Sequence, residues 1–132
     1  MLTRLIVGVP LLAVAMTANP RAVTPDATRL HASLVTFQET TRVCDHLLQG
    51  QYVVVHDDDK MARGEPCTTF YRMKKGEAEA VASFHCIPRQ NGRVEQTTVT
   101  VVRRGPTTTT YVPELIEYQI AGDTEAHGVP VR

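Results

Sequence analysis

The residues of this chain whose types could do chemistry are three cysteines and five histidines. Cys67, Cys86, His56 and His85 all fall between Tyr52 and Cys86. Imidazole and thiolate suit zinc or copper, and a methionine thioether favours copper. The competing chemistry is a disulfide, which persists only where nothing keeps thiols reduced. No spacing is diagnostic: there is no C-x-x-C and no H-x-x-x-H. Catalytic signatures are missing as well, with no G-x-S-x-G, no glycine-rich phosphate loop and no H-E-x-x-H. The run Asp57-Asp58-Asp59 lacks the alternating oxygen spacing and turn glycine of a calcium loop, so solvated loop charge is expected there.

The positions of these residues depend on three β-type runs. Tyr52–His56, Cys67–Met73 and Val81–Ile87 are separated by the polar run 57–66 and the turn Lys74-Lys75-Gly76-Glu77. Centring the hairpin on Gly76-Glu77 sets Cys67 opposite Cys86, Thr69 opposite Phe84 and Tyr71 opposite Ala82. Directly opposed side chains share a face, so a Cys67–Cys86 disulfide is predicted. It would close a loop of about 20 residues and stabilise by about 3 kcal/mol. His56 ends its strand where Cys67 begins the next, which gathers His56, Asp57 to Asp59, Met61, Cys67, His85 and Cys86 at one end of the sheet. His85 alternates to the opposite face. His127 lies among turn residues and is expected in solvent, with folding back as a ligand the alternative. Two readings stand: no cofactor and a structural disulfide, or copper or zinc on His56, Met61, Cys67, Cys86 and His127. Cys44 is left over. It is expected as a small buried apolar residue, with an intermolecular contact as the alternative.

The rest of the chain reads as a carrier for these runs. Arg4 precedes an apolar run from Leu5 to Met16, followed by small residues up to Ala18. This is the pattern of a secretory signal peptide over residues 1–18, and the run is too short to span a bilayer. A secreted or periplasmic location follows as an expectation. Residues 19–30 read as a flexible leader, 31–121 as one β domain and 122–132 as a tail of loop or extended chain. No later segment is apolar and long enough to cross a membrane. The 14 basic residues balance the 14 acidic ones, so no nucleic-acid footprint is present. Tryptophan is absent, which disfavours an aromatic ligand platform.

From His31 to Glu39 the alternation suggests an edge strand, although Leu30, Leu34 and Phe37 also fit a helical period. Asn91-Gly92 marks a hairpin before a strand at Glu95–Arg103. A final strand is expected at Leu115–Ile120, and Thr107–Thr110 reads as a loop or strand edge. Six or seven short strands with Gly and Pro between them predict an all-β fold, an antiparallel β-sandwich or open barrel.

Two stretches carry a resemblance: Leu47-Leu48-Gln49-Gly50-Gln51-Tyr52-Val53-Val54, and Glu117 through Pro130 with its Gly122-Asp123 turn and His127. They resemble small exported bacterial β-proteins in which a leucine-proline-alanine-glycine-threonine-tyrosine turn opens a strand. In those proteins the last strand ends in a glycine-aspartate turn followed by histidine. Gln49 stands where that pattern has alanine, and no proline precedes it. The resemblance implies an exported antiparallel β-domain and carries no chemistry with it. The function expected is therefore an exported binding or structural module without a catalytic group. The alternative is a metal-handling protein built on the His/Met/Cys cluster.

Overall fold

The structure, a computed structural model, describes residues 29–103 and 111–131. The expected export segment, nearly all of the leader and the Thr107–Thr110 run lie outside the described residues. Among the described residues eight strands and one short helix follow in order: β1 (Leu30–Val43), β2 (His46–Asp57), α1 (Asp58–Ala62), β3 (Thr68–Lys74), β4 (Glu77–Phe84), β5 (Ile87–Gln90), β6 (Thr98–Val102), β7 (Glu114–Gln119) and β8 (Glu125–Gly128). The fold is all-β, as expected. The strands form one strongly curled half-barrel sheet rather than two facing sheets.

The sheet runs β4-β3-β2-β1-β7-β8-β5, with β6 paired to the other edge of β7. Residues 31–39 were expected at an edge, yet β1 lies between β2 and β7. Its odd-numbered residues face inward: Val35 and Phe37, then Thr41 and Val43. An irregularity between Phe37 and Thr41 puts three β1 residues against Gln49 alone, which preserves this parity. In β2 the even residues Leu48, Tyr52, Val54 and His56 are buried by the same period-two rule. Phe70 is the hub of the core, with its ring against Phe37, Phe84 and Tyr118.

The β3–β4 hairpin departs from the expected register. Lys75 and Gly76, both with positive φ, form the turn, and Lys74 pairs with Glu77. A two-residue loop with both central residues left-handed matches the right-handed twist of the strands. Tyr71 therefore opposes Ala80 rather than Ala82. A bulge then leaves Val81 unpaired, so Thr69 opposes Ser83 rather than Phe84. Cys67 and Cys86 lie just outside this ladder, one before β3 and one after β4.

Residues 122–132, read as a tail from sequence, contain β8, which pairs with both β7 and β5. Buried Gln119 holds the turn before it: its Nε2 donates to Gly92 O at 2.9 Å and Asp123 O at 2.8 Å. Asn91 Nδ2 donates in turn to Gln119 Oε1 at 2.7 Å.

Candidate metal centre

His56 sits in strict alternation on β2 and points into the core, with 1% of its surface exposed. Across the curl of the sheet, His127 of β8 stacks on it at a ring-centroid distance of 4.0 Å. Two strands separate β2 from β8 in the sheet, so this contact exists only because the sheet bends back on itself. Tyr118, the cross-strand partner of His127, closes the other side of that ring at 5.0 Å. The Tyr118 hydroxyl is in turn hydrogen-bonded to Thr68 Oγ1.

The sulfurs stand behind the imidazoles. Cys67 Sγ and Cys86 Sγ are 2.9 Å apart and buried, and Cys86 Sγ lies 3.5 Å from His127 Nδ1. A bonded pair would be at about 2.05 Å. The pair, expected from sequence as a disulfide, is brought face to face but does not stand at bonding distance. The Cys86 N–H donates to Cys67 Sγ at 3.2 Å, fixing the approach of the two chains. Half-buried Met61 on α1 brings its Sδ to 3.9 Å from Cys86 Sγ. All five residues of the sequence-derived metal set thus converge. His127, expected in solvent, is buried. His85 turns outward, its Nδ1 3.0 Å from Cys86 O. Cys44 occupies the β1–β2 turn at φ 53, half-buried, with Sγ 3.9 Å from Pro130 O.

In front of the imidazoles opens a pocket of about 160 Å³, lined by His31, His56, His127, Asp58, Asp123 and Glu125. His31 is the cross-strand partner of His56 and spans the mouth. Its Nδ1 is 3.0 Å from Asp123 Oδ1 and its Nε2 is 3.2 Å from Asp58 Oδ2. Sequence reasoning missed His31, Asp123 and Glu125, and did not single out Asp58 from its two neighbours. The inward parity shared by His31, Val35 and Phe37 was the one available sign for His31. The three aspartates separate by role. Asp57 caps α1 by accepting from the N–H groups of Asp59 and Lys60. Asp58 turns to the histidines, and Asp59 pairs with Arg29 at the surface.

Burial disfavours the charged forms of His56, His127 and Cys86. Burial lowers the His56 pKa, outweighing nearby Asp58. Burial, and then the facing His56, pull His127 down to about 4. Burial, and then the hydrogen bond with Cys67, push the Cys86 thiol up to about 12. Burial also opposes charge on His31, but Asp58 and Asp123 prevail and raise it. Glu125 is raised by burial, then by Asp58 and Asp123.

Two donor sets share His56. His56, Cys67 and Cys86 bring one ligand atom each to within 4.8 Å of one another, and so do His56, Glu125 and His127. Asp58 Oδ1 lies 3.1 Å from His56 Nδ1, which favours the proton on that nitrogen. His56 Nε2 is buried and has no hydrogen-bond partner among the described residues. Comparison with family models, curated proteins and solved structures finds no match.

Proposed function

We propose that this is a small exported β-domain that binds zinc or copper inside its curled sheet, with His56, His127, Cys67 and Cys86 as ligands. His56 Nε2 carries the reading: it is a buried lone pair with no donor, backed by a carboxylate on the opposite ring nitrogen. An unsatisfied buried polar atom costs about 1–3 kcal/mol, and a bound cation removes that cost. Histidine ligands characteristically hold the other ring nitrogen against such a carboxylate. Two imidazoles and two thiolates form a common tetrahedral zinc set, while the adjacent Met61 sulfur favours copper(I). Metal–sulfur lengths of about 2.3 Å would part the sulfurs by about 1 Å from their present contact. Uptake would displace the thiol protons, so affinity rises with pH. Native mass spectrometry of reduced protein titrated with Zn²⁺ or Cu⁺ is expected to show one retained ion, lost in His56→Ala. Equal uptake by wild type and His56→Ala would overturn the reading.

The 2.9 Å sulfur contact favours one other reading. If no metal holds the two thiolates, an oxidising compartment would let Cys67 and Cys86 join as a disulfide, and the domain would serve as a stapled binding or structural module. An intact mass lower by two hydrogens under non-reducing conditions, with no metal uptake after reduction, would establish that module instead.

A further inference from the structure

The sulfurs do not line the pocket; His56, His127 and Glu125 do. An incoming cation therefore meets a two-histidine, one-carboxylate set before it meets any thiol. That set is built rather than incidental. Its central member, His56, is 99% buried in side-chain terms, and its Nε2 has no hydrogen-bond partner among the described residues. Asp58 and Asp123 add carboxylates to the pocket wall, and among the described residues no lysine or arginine lines it. A predominantly acidic cleft, here three carboxylates beside His31, raises the local concentration of cations and speeds their association.

We propose that Glu125, with His56 and His127, forms an outer capture site for a divalent transition metal, from which the ion passes inward to Cys67 and Cys86. This rests on the metal-binding reading above. His56 serves both sets, so it holds the ion through the exchange. The metal–carboxylate bond to Glu125 breaks as bonds to the two sulfurs form. The two thiol protons leave to solvent, and no electron is transferred. Glu125 is a ligand of the first set alone, which makes it a residue for uptake rather than for final affinity.

Cobalt(II) separates the stages, because thiolate ligation adds a near-ultraviolet charge-transfer band that nitrogen and oxygen ligands do not. Mixing reduced protein with Co²⁺ in a stopped-flow instrument is expected to show this band in wild type. In Glu125→Gln it should grow at least about tenfold more slowly but reach the same final amplitude. The Cys67→Ser/Cys86→Ser double variant should still bind Co²⁺ through its visible bands, without charge transfer. An unchanged rate in Glu125→Gln, a reduced final amplitude there, or no binding in the double variant would each overturn the capture site. Absence of the band in wild type would instead refute the metal-binding reading on which it rests. Glu125→Asp, which keeps the charge, should restore much of the rate and guards against a folding defect.

Discussion

At the scale of single residues, Asp58 has the widest reach in the site. One oxygen lies beside His56 Nδ1 and the other beside His31 Nε2. Asp58→Asn should weaken Zn²⁺ binding by about 10–100-fold, the usual loss for a ligand's carboxylate partner. Competition with a chromophoric chelator would measure it. His127 makes the metal-free fold sensitive to acid. Its folded pKa, about 4, lies below the ordinary histidine value of 6.5, so between these limits the unfolded chain holds a proton that the folded chain lacks. Its stabilising effect is complete above about pH 6.5 and is lost as pH falls towards 4, by up to about 1.4 kcal/mol per pH unit. Urea midpoints of metal-free protein across that window should fall, and less steeply in His127→Gln. The sequence showed that His56, Cys67 and Cys86 would meet, because alternation and strand ends suffice for that. It did not show which of three adjacent aspartates faces inward, since helix α1 decides that and is only five residues long.

Strand and turn geometry explains the register that sequence reasoning missed. Counting from Gly76-Glu77 assumed an unbroken ladder, whereas the turn sits on Lys75-Gly76 and Val81 bulges out. The two departures partly cancel, which is why the sulfurs still meet. A bulge arises from packing and twist across the sheet, and period-two patterning does not announce it. Gly128 makes the β5–β8 pairing testable. A Cβ there would stand 3.2 Å from Ile87 Cβ and 3.3 Å from Ile87 O. Backbone cannot swing aside as a side chain does, so Gly128→Ala should destabilise by about 1–3 kcal/mol. Denaturant unfolding followed by circular dichroism would read it.

For the molecule as a whole, the all-β class was readable from short alternating runs, but the sheet order was not. β1 touches β7 in parallel at Arg42 and Glu114, far apart in the chain, and no local pattern encodes that neighbour. The burial of His127 followed from that order and escaped with it. A metal bound between β2 and β8 would join strands at different places around the curl. An ion present at a hundred times its dissociation constant should add about 2.7 kcal/mol to the unfolding free energy. Thermal melts with and without Zn²⁺ would show the shift, and Cys67→Ser/Cys86→Ser should reduce it.

β5 follows Cys86 directly, and among the described strands it pairs only with β8. A single protease cut in the turn at Ala121–Asp123 would thus disarm the centre twice over. It would cast off the imidazole of His127 and unmoor the segment that anchors Cys86. Occupancy by an ion should shield that scissile turn, making resistance to digestion a gauge of whether the clasp is shut.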